Sequence, residues 1–184
     1  GFEVGGGGSG KSVICLRGKN GAKIMYSMQS NDTMALVGEI LKVQQQNHVK
    51  PTNIFVDTIG VGKGVVDRLD EQFATEYKRV NAIKFGEKPE NDEDFSDLKA
   101  QCFWRTKEWL STGKLVRHQG WEELLDIKYK VQSDRKVRIK PKEEMLREGI
   151  QSLDHADALA LTFALGELSI NQASTYRPDW RGRL

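Results

Sequence analysis

One stretch narrows the fold more than any other: Pro51-Thr52-Asn53-Ile54-Phe55-Val56-Asp57-Thr58-Ile59-Gly60-Val61-Gly62-Lys63-Gly64-Val65-Val66-Asp67-Arg68-Leu69. It reads as a short buried strand, a glycine-rich turn and the start of a helix, which is the unit from which α/β folds are built. Asp57 sits where strand meets turn. A side chain there projects from a rigid sheet edge into a cleft, where such folds place their chemistry. The competing reading for Asp57 is a helix cap, since aspartate satisfies the free N–H groups of a first turn.

The rest of the chain supplies partners for that unit. Phe2-Glu3-Val4 is a short apolar segment carrying one carboxylate. The run from Gly5 to Ser12 fits the phosphate-loop pattern G-x-x-x-x-G-K-S, whose mechanism needs a helix directly after the loop. The next residues are instead Val13-Ile14-Cys15-Leu16-Arg17, then Gly18-Lys19-Asn20-Gly21, a β-prone run ending in an Asn-Gly hairpin signal. A glycine turn between antiparallel strands is therefore expected, and a nucleotide-binding module is the alternative. A strand over 22–28 comes next, then a helix capped by Asp32 and running to about Gln46. Beyond strand 53–57 come a helix over 63–73 and a strand near 79–85. An acidic loop over 87–94 separates these from a long helix over 95–111, ended by Gly113. Phe103, Trp104 and Trp109 on that helix read as core contacts, and 121–127 reads as a short further helix.

Between Lys128 and Lys142 basic and apolar residues alternate about a polar turn at Ser133-Asp134. This predicts a β-hairpin with one cationic face. Lys128, Lys130, Arg135, Lys136, Arg138, Lys140 and Lys142 against the single Asp134 suit contact with a phosphate backbone, although such faces also protect sheet edges. That clustering matters because bulk charge says little: 28 basic and 26 acidic residues leave a net charge of +2. After an amphipathic piece over 143–148, residues 149–165 form a helix apolar on nearly every side, which predicts burial. The tail 171–184 is basic and expected to be loose.

The chemistry is read from carboxylates. Ser, Cys and His do not meet in a recognisable nucleophile motif, and Cys15 and Cys102 lie apart in apolar segments as reduced core thiols. Asp157 sits on the apolar last helix, where an unpaired carboxylate is costly unless a cation meets it. Asp154 shares its face and reads either as a cap or as a further ligand. His155 points elsewhere on the helix. Glu3, Asp57 and Asp157 converge only if their elements are neighbours, and hard oxygen donors of this kind suit Mg²⁺ or Mn²⁺.

The order β-β-β-α-β-α-β-α with carboxylates at those points resembles the ribonuclease H-like arrangement, a mixed central sheet flanked by helices, here with an added basic hairpin. The 56–69 stretch resembles the second acidic motif of the C-terminal nuclease domain of tailed-phage large terminase subunits. Residues Lys142-Glu143-Glu144-Met145 through Ser152-Leu153-Asp154-His155-Ala156-Asp157-Ala158-Leu159 are similar to that family's closing motif, and the helix around Lys99 to Trp109 also fits. The resemblance runs from Phe2 to about Phe163. It implies a nuclease domain over 1–170 that cuts concatemeric double-stranded DNA with two metal ions held by Glu3, Asp57 and Asp157. Lys63 and the cationic hairpin would position the DNA backbone.

It further implies a fragment of a longer protein in which an ATPase domain precedes Gly1, working with a portal and a small terminase subunit in the cytoplasm of the infected bacterium. No membrane role is expected, because no apolar run reaches the ~20 residues that cross a bilayer. At the first motif the family usually carries aspartate, whereas this chain has Glu3, and the second acid often found before the following Lys-Ser is missing. One extra methylene moves the carboxylate by roughly 1 Å, which implies weakened cleavage. A DNA-binding or docking domain that does not cut is the non-enzymatic alternative.

Overall fold

The computed structural model describes residues 1–5, 10–30, 32–74 and 79–165. The centre of the tight glycine run, Gly6 to Ser9, and the basic tail lie outside the described residues. A six-stranded mixed sheet forms the middle of the molecule. Its strands are β1 (Phe2–Glu3), β2 (Ser12–Arg17), β3 (Gly21–Met28), β4 (Phe55–Asp57), β5 (Asn81–Ile83) and β6 (Lys114–Leu115), in the spatial order β5-β4-β1-β2-β3-β6.

The first three strands form an antiparallel meander, with Phe2 opposite Ile14 and Glu3 opposite Val13. A strand directly follows the glycine run, so the helix that a phosphate loop requires is absent and the hairpin expectation holds. β4 then joins the other side of β1 in parallel, and β5 extends β4 in parallel. This is the ribonuclease H-like arrangement expected from the element order. The two-residue β6 pairs in parallel with β3 and has no counterpart in the sequence reading, being too short to carry an alternation pattern.

Alternation along the strands sorts the two faces. Phe2, Ile14 and Val56 pack with α1 (Thr33–Gln46) and α2 (Gly62–Phe73) through Leu36, Val37, Val65 and Leu69. Each large side chain fully removed from water there contributes about 1.5–3 kcal/mol. On the opposite face, Val13, Cys15 and Ala22 meet α5 (Asp154–Leu161) through Ala158 and Leu159. Phe55 meets both α3 (Leu98–Leu110) and α5. The all-round apolar character of α5 is explained by this double contact: one side lies on the sheet and another on α3. Cys15 and Cys102 are free and buried, as expected.

The sequence overestimates several elements. The last helix is eight residues long rather than seventeen positions from 149 to 165, because residues 149–153 form its approach. α3 begins at Leu98, where the Asp97 carboxylate accepts from the Ala100 N–H, and Phe95 pairs with Val137 instead of opening the helix. The short helix near Trp121 is a 3-10 helix, Gln119–Leu125. The basic hairpin is present as β7 (Tyr129–Val131) and β8 (Val137–Ile139), followed by α4 (Lys142–Arg147).

Candidate active site

β1 and β4 run in parallel with Phe2 beside Val56. Glu3 and Asp57, each one residue further on, thus stand side by side on the face covered by α3 and α5. The turn after Asp57 holds it there. Its carboxylate accepts from the Ile59 N–H at 3.0 Å, while the backbone N–H and hydroxyl of Thr58 both donate to the Ile83 carbonyl. Asp57 does not cap α2, whose N-cap is Val61 without a side-chain bond. Gly60 adopts φ +67°, a conformation open to glycine. At Gly62 an added Cβ would fall 1.8 Å from the Asp57 carbonyl oxygen, so its small size lets α2 approach the strand end. Gly60 and Gly64 both face open space, since an added Cβ would meet nothing within 4 Å at either position.

Asp157 enters from the first turn of α5, and Lys99 reaches it from α3. The ammonium of Lys99 lies 2.9 Å from Asp157 Oδ1 and 3.0 Å from Oδ2. Burial pushes the Glu3 carboxyl well above its ordinary value, and the charges of Asp157 and Asp57 push it further. Asp57 is raised by burial, against the Ile59 N–H that favours its anion. Burial opposes the charge of Lys99, but Asp157, Glu3 and Asp57 together hold it above the ordinary lysine range. Three carboxylates facing one ammonium leave an excess of negative charge, and one Glu3 oxygen, Oε2, is buried without a hydrogen-bond partner. As the side chains stand, no three Asp, Glu, His or Cys groups among the described residues converge closely enough to enclose an ion.

Asp154 corrects the capping expectation. It is the first residue of α5, after an N-cap at Leu153, and its carboxylate accepts from the Lys11 N–H at 2.7 Å and from the Ser152 hydroxyl. It ties the end of the glycine run to α5. Lys63 is exposed on the first turn of α2, beyond Asp57. Within the hairpin region, Lys130, Arg138 and Lys140 are bound to Glu144, Asp97 and Glu148, which leaves Lys128, Arg135, Lys136 and Lys142 as its unpaired cations among the described residues.

Two features escaped the sequence reading. Lys99 looks like any charged residue on an amphipathic helix, and only the crossing of α3 over α5 reveals it. Ser27, His155 and Glu123 also meet in space: Ser27 Oγ lies 2.8 Å from His155 Nε2, and His155 Nδ1 contacts Glu123. They lie on three separate elements, so no spacing could announce them.

No protein-family model matches the chain, and no curated protein matches it. Solved structures do. The nuclease domain of the large terminase subunit gp2 of bacterial virus Sf6 superposes with a TM-score of 0.71 at 16% identity, over 88% of this chain and 85% of that one. The fold is that of a terminase nuclease domain. A variant of the Sf6 domain with calcium gives the same values, and the variant with manganese gives a TM-score of 0.66 at 17% identity over 82% of each chain. The Sf6 likeness includes a further structure with manganese and beta-thujaplicinol. Among the described residues no helix is long and apolar enough to cross a membrane.

Proposed function

We propose that this chain is the DNA-cleaving nuclease domain of a phage large terminase subunit, with Glu3, Asp57 and Asp157 as its catalytic carboxylates. The observation that carries the reading is their arrangement. Glu3 and Asp57 stand on adjacent parallel strands and Asp157 faces them from α5, on a fold shared with the Sf6 nuclease domain. The donor set fits a hard divalent cation, because buried carboxylates that raise one another's proton affinity and include an orphaned oxygen lack positive charge. The Sf6 domain was solved with manganese and with calcium, which supports a divalent cation here, and the ion proposed is Mg²⁺ or Mn²⁺, as a pair, at Glu3, Asp57 and Asp157, with Asp154 as a less central donor. Such ions supply Lewis-acid polarisation of a phosphodiester and a more acidic water.

The protein's own groups set the stage for that reaction. The Asp57 carboxylate is fixed by the Ile59 N–H, and Lys99 pairs with Asp157 and partly offsets the burial that raises the Asp157 carboxyl above its ordinary value. Lys63, beyond the end of β4, contacts the DNA backbone. So do the hairpin cations, with Lys128, Arg135, Lys136 and Lys142 free to do so and Lys130, Arg138 and Lys140 exchanging an internal carboxylate for a phosphate. The nuclease domain spans 1–170, and 171–184 form a basic tail. In the whole protein an ATPase domain precedes it, and the portal and small subunit are its partners, at work on concatemeric double-stranded DNA in the host cytoplasm.

A second reading, a DNA-binding domain that does not cut, draws support from Glu3 in the usual aspartate position and from the Lys99–Asp157 ion pair. Plasmid nicking in Mn²⁺ decides between them. The nuclease reading expects nicking and linearisation, both lost in Asp57→Ala and in Asp157→Ala, with faster cutting by Glu3→Asp. Salt-sensitive DNA binding without any cleavage, unchanged in Glu3→Asp, supports the second reading.

A further inference from the structure

α5 carries Asp154 and Asp157 but has no side-chain cap of its own. Its first free N–H groups are satisfied from 32 residues away. Glu123, on the 3-10 helix, accepts from the His155 N–H at 2.7 Å and from the Ala156 N–H at 3.1 Å through the same oxygen, Oε2. Its other oxygen, Oε1, contacts His155 Nδ1. The opposite edge of that imidazole meets the Ser27 hydroxyl on β3 at 2.8 Å. The ring is buried, and Gly120 packs flush against it: a Cβ at that position would fall 2.5 Å from ring carbons.

At the other end of α5, Arg17 on β2 donates to the Thr162 carbonyl and hydroxyl at 2.6 Å each. An acid at the N-terminus and a cation at the C-terminus both complement the helix dipole. The helix is thereby gripped at its two ends from elements other than the strands that carry Glu3 and Asp57.

We propose that Glu123 and His155 are positioning residues for the carboxylates of α5. Together with Ser27 they lock the rotation and height of the first turn, so that Asp157 faces Glu3 and Asp57. The proposal rests on the nuclease reading above. Capping alone would be met by any short polar side chain at residue 153, where this chain has leucine. The borrowed acid instead links the helix start to the sheet through His155 and Ser27, which fixes orientation as well as satisfying the N–H groups. Glu123 also lines a cleft of about 310 Å³ together with Lys11, Gly120 and Asp126, so a truncated side chain is replaced by water rather than by neighbouring core.

The test compares Glu123→Ala, Glu123→Gln and the remote core variant Val43→Ala, on α1, in three measurements: amide hydrogen exchange of the 154–161 peptide, Mn²⁺ affinity by calorimetry, and plasmid cleavage. Glu123→Ala is expected to lose amide protection at His155 and Ala156 and to bind Mn²⁺ roughly ten- to a hundredfold more weakly, with a matching fall in kcat and an unchanged KM for DNA. Glu123→Gln keeps an acceptor for the two N–H groups and should fall between, which also carries the test should the alanine variant not fold. Val43→Ala should leave Mn²⁺ affinity where it was. Mn²⁺ affinity within about twofold of the parent in Glu123→Ala, or an equal loss in Val43→Ala, overturns the proposal, since the effect would then be absent or merely one of stability. Failure of the unmodified protein to bind Mn²⁺ at all would instead remove the nuclease reading beneath it.

Discussion

Lys99 Nζ sits within 3.0 Å of both carboxylate oxygens of Asp157. That contact makes α3 part of the site, and it supplies the one cation seen to face the carboxylate cluster among the described residues. Removing one partner of a largely buried pair leaves the other charge uncompensated. Lys99→Met is therefore expected to destabilise the metal-free protein by roughly 3 kcal/mol, read by urea denaturation. Because the variant lacks an internal counter-charge, Mn²⁺ should raise its melting temperature more than it raises that of the parent.

The opposite change should stabilise. Glu3 and Asp57 both carry carboxyls raised above their ordinary values, Glu3 by burial and by its acidic neighbours and Asp57 chiefly by burial. The folded state therefore resists their ionisation. For a raised carboxyl the native state binds more protons than the unfolded chain, so stability falls as pH climbs from the ordinary value through the raised one. Glu3→Gln and Asp57→Asn remove that loss. Each is expected to melt higher than the parent at pH 7, by about 2–4 °C, the shift that ~1 kcal/mol gives in a domain of this size. The advantage should shrink as pH is lowered toward 4.5, the ordinary value for Glu3. Both variants should lose cleavage.

Gly62 and Gly64 form a matched pair two residues apart. Gly62→Ala places a methyl 1.8 Å from the Asp57 carbonyl oxygen, whereas the same change at Gly64 meets nothing within 4 Å. Gly62→Ala should cost about 2 kcal/mol or more and displace Asp57, with loss of cleavage. Gly64→Ala should be neutral or stabilising by up to ~1 kcal/mol, because alanine favours the helix. Thermal melts and plasmid nicking read both effects.

The hairpin cations should divide into two groups. Lys128, Lys136 and Lys142 have no internal carboxylate, while Lys130, Arg138 and Lys140 do. Alanine at each free lysine is expected to reduce the salt slope of DNA binding by about one, with uniform weakening across sequences. Alanine at a paired position should change it less. Fluorescence anisotropy across a salt titration measures the difference.

Only some parts of the site could be read from the chain. Asp57 was legible because it ends a buried apolar run just before a glycine-rich turn, and Glu3 because it is the one carboxylate in a short apolar segment. Asp157 was legible because a carboxylate on an apolar helix calls for a partner. Its partner was not, since Lys99 is separated from it by 58 positions and the crossing of α3 over α5 depends on packing. The capping role of Asp154 failed for a related reason: the cap of α5 is Glu123, delivered by a 3-10 segment whose contacts are set by tertiary structure. The short β6 carried no pattern, and the ends of α3 and α5 were overextended because apolar residues that join the core through loops look like helix in sequence.

One divalent-cation centre held by Glu3, Asp57 and Asp157 is what the proposed function requires. Anomalous diffraction from a manganese-soaked crystal tests it most directly. A manganese peak is expected among these three carboxylates, lost in Asp57→Ala; a peak elsewhere, such as the cleft beside Lys11 and Glu123, with none among the three, would overturn the assignment.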